Sequence, residues 1–154
     1  MLLFFRWQDC WYFGGGIQNG FWRKDDGYYC GGDESYYTAR DLARFGELFL
    51  NQGNVDGKQL LDSAWVKDTF TSYTDKSKEF RSLECYDEVG YGLCWWILET
   101  REHHTVYAAR GKGGQHIILI PDKGIVVVII QEWNPFKMNR AMENRLLGNL
   151  LLIL

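Results

Sequence analysis

The sequence contains no run of basic residues, and its formal net charge is -3. That excludes the electrostatic footprint of a nucleic-acid binder, and no block of like charge reads as an interaction tail. Cys10, Cys30, Cys85 and Cys94 lie far apart without a Cys-x-x-Cys pair, which removes the zinc-ribbon reading. Two disulfides and four small buried hydrophobes both fit them. A chain of this length builds its core without staples, so free thiols are favoured. No segment is long and apolar enough to span a bilayer, and the terminal LLGNLLLIL falls well short. The opening MLLFFRWQDCWYF is not a signal peptide, because Trp7, Asp9 and Trp11 interrupt a short apolar stretch. Internal repeats and low-complexity tracts are absent too. Gly111-Lys112 is followed by a strand pattern rather than a helix, so it is not a phosphate loop. Phe13 to Gly16 lacks the strand–helix unit of a dinucleotide fingerprint.

What is present is enough for one folded domain. The 154 residues are 46% hydrophobic, well above the range of disordered chains. Aromatics reach 16%, with seven tryptophans. A tryptophan-rich core is favoured over an aromatic-lined cleft.

Residues 1–37 carry crowded glycines and aromatics without a lasting period, which predicts an irregular N-terminal segment with at most a short helix or strand near 2–12. Thr38-Ala-Arg-Asp41 then has the form of a capping box, with Asp for the usual Glu. Leu42, Phe45 and Phe49 make one apolar helical face, and Gly53 serves as the residue after the cap. Arg40 and Asp41 are given structural roles. Asn54-Val-Asp-Gly57 reads as a turn. Asp62 or Ser63 caps a second helix to about Thr71, with Trp65, Val66 and Phe70 inward. Residues 72–90 are polar and read as irregular. Four strands follow over 91–131: Tyr91–Leu98, Thr105–Ala109, Gln115–Ile120 and Ile125–Gln131. The last two are joined by Pro121-Asp-Lys-Gly124, and short links predict an antiparallel meander. Val126 to Ile130 do not alternate, so that strand is expected to be covered on both faces. Pro135 begins a final helix over 135–153, whose stripe runs through Met138, Met142, Leu146 and Leu150. The fold class is therefore α+β, an antiparallel sheet with flanking helices.

The most patterned stretch is ARGKGGQHIILIPDKGIVVVII, from Ala109 to Ile130. Its glycines are either plain turn residues or a backbone strip that a ligand approaches closely. His103 and His104 are adjacent and point oppositely in a strand. No metal spacing surrounds these or His116, so packed or solvated roles are favoured. Trp95 and Trp96 would also face apart, both into core.

The order of these parts resembles the serine beta-lactamase-like hydrolases, a family of class C-like beta-lactamases, penicillin-binding proteins, esterases and amide hydrolases. Gly31-Gly32, the helix from Thr38 to Gly46 (TARDLARFG), the turn from Asn51 to Leu60 and Trp65-Val66 are similar to its helical stretch. YGLCWW, from Tyr91 to Trp96, is similar to its "Y-G-x-x-W-W" strand. YAARGKGGQHIILIP is similar to its "A-x-G-x-G-G-Q-x-I-x-x-x-P" edge and hairpin. The likeness covers roughly residues 22 to 150. It implies a beta-lactamase/transpeptidase-like fold, spread over 38–154, with helices at 38–71. The family reaction is acyl transfer through a serine ester, with no cofactor and no metal.

The same resemblance implies that Ala109, Arg110, Gly111, Lys112, Gly113, Gly114 and Gln115 form the substrate-binding edge, whose backbone N–H faces the oxyanion. The departures are equally specific. No serine has Lys three residues on, no Tyr-x-Asn occurs, and Ala109 stands where the family has Lys or His. The expectation is a C-terminal portion of a longer hydrolase, inactive alone, whose intact parent cleaves a small ester, amide or beta-lactam. Many relatives are periplasmic or secreted, and the compartment is left open. Uncovered apolar surface would favour self-association. The alternative is a non-catalytic binding or structural module derived from that fold.

Overall fold

A computed structural model describes residues 21–29, 35–74, 86–111, 114–130 and 148–149. Within the N-terminal segment expected to be irregular there are short antiparallel pairings. Strand β1 (Phe21–Trp22) pairs with β4 (Ser35–Tyr36), and β2 (Lys24–Asp25) with β3 (Tyr28–Tyr29). The β2–β3 turn is Asp26-Gly27, both at positive φ (48° and 83°), the conformation a two-residue hairpin needs.

Helix α1 (Ala39–Leu50) starts at the capping box read from the sequence. The Thr38 Oγ1 accepts from the Asp41 N–H at 3.2 Å, and the Asp41 carboxylate accepts from the Thr38 N–H at 3.3 Å. The helix ends differently from expectation. Gln52, not Gly53, directly follows the cap Asn51, and it is left-handed at φ 53°. Gly53 comes next at φ 85°, its N–H bonded to the Leu48 carbonyl at 2.8 Å. Two short strands, β5 (Asn54–Val55) and β6 (Lys58–Gln59), flank the Asp56-Gly57 turn. Asp62 caps α2 (Ser63–Thr69), accepting from the Ala64 N–H at 2.7 Å.

The main sheet has five antiparallel strands, not four, and begins before Tyr91. They are β7 (Tyr86–Tyr91), β8 (Trp96–Thr100), β9 (Thr105–Arg110), β10 (His116–Ile120) and β11 (Ile125–Ile129), paired as a simple meander. The expected single strand 91–98 is broken because the chain turns over at Gly92 to Trp95. There the Gly92 N–H bonds the Trp95 carbonyl, Cys94 is left-handed at φ 68°, and the Leu93 N–H goes to the Thr69 carbonyl at the end of α2. Between β10 and β11, Pro121–Lys123 form a 3-10 turn closed by left-handed Gly124. The expected C-terminal helix 135–153 lies outside the described residues except at Gly148 and Asn149, which are helical.

Strand alternation sorts the core into two layers. On one face Tyr107, Ala109, Ile117, Leu119 and Val126 meet Phe45, Leu48, Phe49, Val66 and Phe70 of the helical part. On the other, Tyr86, Leu98, Val106, Ala108, Ile118 and Ile120 form a second cluster. Helix α1 reaches the sheet closely through Gly46, where a Cβ would stand 2.6 Å from Val126 Cγ1. Phe45 and Phe49 of the expected helical face are in this core, joined by Leu48, while Leu42 is only half-buried. Val126 packs on one layer and Ile125, Val127 and Ile129 on the other, but β11 is an edge strand, its residues are only half-buried and Ile130 is 47% exposed, so the expected cover on both faces is partial. Trp95 joins the helical layer and Trp96 packs on the opposite one.

Candidate functional site

The strip singled out in the sequence is the β9–β10 hairpin. The Gly111 N–H bonds the Gln115 carbonyl at 2.7 Å, the Gly114 N–H bonds the Gly111 carbonyl at 3.1 Å, and Gly114 has φ 80°. This is the pattern of a three-residue hairpin loop closed by a left-handed residue. The β8–β9 turn has the same bonds: Thr100 N–H to the His104 carbonyl and His103 N–H to the Thr100 carbonyl, both at 3.0 Å. There His103 takes the left-handed place, at φ 63°. Lys112 and Gly113 lie outside the described residues.

Alternation divides the rest of the strip between the two faces. Ala109, Gly111 and Gln115 continue the series of Tyr107 and Ile117, on the helical side. Ala109 is half-buried against that core. A Cβ at Gly111 would stand 2.8 Å from Oε1 of Gln115, so the carboxamide of Gln115 lies over the bare backbone of Gly111. Arg110 and His116 are a cross-strand pair on the far face. His116 is buried, as a packed histidine, on the opposite side from Gln115.

Arg110 does not extend its charge along the strip. Its Nη1 donates to Oε1 of Glu88 at 2.8 Å, with side-chain exposures of 16% and 5%, and its guanidinium lies 5.9 Å from the centre of the Trp96 ring. Tyr91 meets the same ring edge-on at 4.9 Å. Glu88 was missed in the sequence because Asp87, Glu88 and Gly90 made β7 look like a polar loop. A bulge after Glu88 shifts the register between Glu88 and Gly90.

The other titratable groups described near the sheet include two phenols and two paired histidines. Burial pushes the Tyr107 phenol up, with the Asp122 carboxylate adding to it, and burial also pushes Tyr91 up. Both are held as neutral phenols at neutral pH. His103 pairs with Glu99 at 2.8 Å, and His104 bridges to Asp122 at 3.1 Å, at the end of the sheet away from Gly114. Among the described residues no cluster of His, Cys, Asp or Glu is arranged to hold a metal ion. Nor is any helix there long and apolar enough to cross a membrane. Cys94 is an exposed free thiol, and the other three cysteines lie outside the described residues.

Three comparisons bear on this arrangement. The sequence profile of the family described as Beta-lactamase matches residues 11–151. The chain is 26% identical over 117 residues to a 6-aminohexanoate-dimer hydrolase of Paenarthrobacter ureafaciens, a match covering 75% of this chain and 28% of that protein. A solved structure described as "Putative 6-aminohexanoate-dimer hydrolase from Bacillus anthracis" superposes with a TM-score of 0.54 at 23% identity, covering 86% of this chain and 34% of that one. The chain thus spans about a third or less of the length of these relatives.

Proposed function

The chain belongs to the beta-lactamase family, and on that premise we propose that it is the C-terminal part of a serine hydrolase, with residues 109–115 as the substrate edge. The observation that carries this reading is the β9–β10 hairpin itself. Gly111 is exposed and has no Cβ, and Ala109 packs on the helical side of the sheet, the face that Gln115 continues by strand alternation. A substrate carbonyl lying along this edge would displace the Gln115 carboxamide from over Gly111 and meet a main-chain N–H other than those of Gly111 and Gly114, which close the hairpin; an edge N–H of this kind is how an oxyanion is held. The parent would pass a small ester, amide or beta-lactam through an acyl-serine. That two relatives are named for hydrolysing a 6-aminohexanoate dimer favours the amide within that class.

The nucleophile is supplied from outside this sequence, which has neither Ser-x-x-Lys nor Tyr-x-Asn. The same absence supports a second reading, a non-catalytic binding or structural module that pairs with another chain or with itself. A serine-directed fluorophosphonate or fluorescent penicillin separates them. The chain alone is expected to take no adduct, and a stable adduct on any of its serines overturns the inactive assignment. Mixed with a family fragment that carries Ser-x-x-Lys, it is expected to produce an adduct on that fragment's serine. A fragment that labels equally well without it favours the non-catalytic module.

A further inference from the structure

We propose that the Glu88–Arg110 ion pair, laid across Trp96, is a positioning element that sets the Gly111–Gln115 hairpin from behind the sheet. The proposal rests on reading residues 109–115 as the substrate edge and says how that edge is held. Arg110 is the last residue of β9, immediately before Gly111, whose N–H closes the hairpin. Its guanidinium crosses the far face, passes 5.9 Å from the Trp96 ring centre, and reaches Glu88 two strands away. Glu88 sits at the register shift of β7, where a bulge re-aims the strand. Three consecutive strands are thereby tied along a diagonal, from Arg110 at the end of β9, past Trp96 opposite Ala108, to Glu88 opposite Leu98.

An ion pair this enclosed adds little to stability compared with an apolar pair of the same volume, because both charges lose their water. What it supplies is direction. The planar fork of arginine, lying between the Glu88 carboxylate and the Trp96 ring face, permits few orientations of the Arg110 backbone. The next peptide is the Gly111 N–H. Glycine-rich loops do not hold their own geometry, since Gly111 and Gly114 have no side chains to pack. Arg110 therefore acts on the substrate edge through the backbone rather than by touching substrate.

The β8–β9 hairpin provides an internal reference, having the same two closing bonds, while the arginine at its base, Arg101, meets Asp87 in an exposed pair with side-chain exposures of 47% and 39% rather than an enclosed one. The test is amide hydrogen exchange on the intact chain with Glu88→Leu and Arg110→Met combined, which removes both charges together and avoids leaving one of them buried alone. The proposal expects the melting temperature to stay near that of the parent, while Gly111 and Gly114 exchange roughly tenfold faster and Thr100 and His103 are unchanged. Arg110→Lys, which keeps the charge and loses the fork, gives the same readout should the double variant not fold. It is expected to lie between parent and double variant. Unchanged protection at Gly111 and Gly114, or equal loss in both hairpins, overturns the proposal. Because exchange reads no catalysis, it stands apart from adduct labelling. A failed labelling result removes the substrate-edge reading and leaves the positioning result intact, and the converse also holds.

Discussion

Replacing Trp95 by alanine is expected to cost about 3–5 kcal/mol of folding free energy, the range for deleting a large buried aromatic. Trp95 is 4% exposed and sits where the β7–β8 turn meets both helices. Its ring centre lies 5.4 Å from that of Phe49 on α1 and 5.5 Å from that of Phe70 at the end of α2. Phe70 in turn stacks on Tyr107 of β9 at 4.0 Å. Removing the indole therefore opens a cavity between three elements that cannot all move in to fill it. In a thermal melt the loss should appear as a drop on the order of 10 °C for a chain of this size. A loss under about 1 kcal/mol would mean that Trp95 is not a core side chain at all.

Gly53→Ala is expected to be nearly as damaging, at about 2–4 kcal/mol, for two additive reasons. The backbone there is left-handed at φ 85°, and the new Cβ would stand 2.3 Å from the Leu61 carbonyl oxygen. The Gly53 carbonyl also accepts from the N–H groups of Leu60 and Leu61, so the loop has little room to back away. Its neighbour makes the control. Gln52 is exposed and left-handed at φ 53°, so Gln52→Gly should stabilise by up to about 1 kcal/mol. Denaturant melts of the two variants should therefore shift in opposite directions. Shifts of the same sign would contradict the helix-end geometry.

The features legible in the sequence are those fixed by short-range chemistry. The capping box at Thr38 and Asp41, the Asp56-Gly57 turn, the Asp62 cap and the closing hairpin at Pro121 to Gly124 each depend on residues within four positions of one another. The family likeness was legible for a different reason, since it rests on the order of several such motifs. Strand β7 was not legible because its buried carboxylate is matched by an arginine 22 residues downstream, so Glu88 looks like a surface residue in isolation. The break at Gly92 to Trp95 was hidden in the same way: it depends on the Thr69 carbonyl, and no local signal marks Cys94 as left-handed. Gln52 in place of glycine after the cap misled the reading of the helix end by one residue. At the candidate site, the glycines of the strip were visible. The face taken by Arg110 was not, because side-chain direction follows from where the strand ends in register.

The claim on which this account depends is that the Gly111–Gln115 backbone borders an acylation cleft. The most direct test follows the amide resonances of Gly111, Gly114 and Gln115 while a phosphonate adduct forms on the serine of a Ser-x-x-Lys partner bound to this chain. Those amides are predicted to shift as the adduct accumulates, and those of Thr100 and His103 to stay in place. Full labelling with the Gly111, Gly114 and Gln115 amides unmoved would contradict the claim.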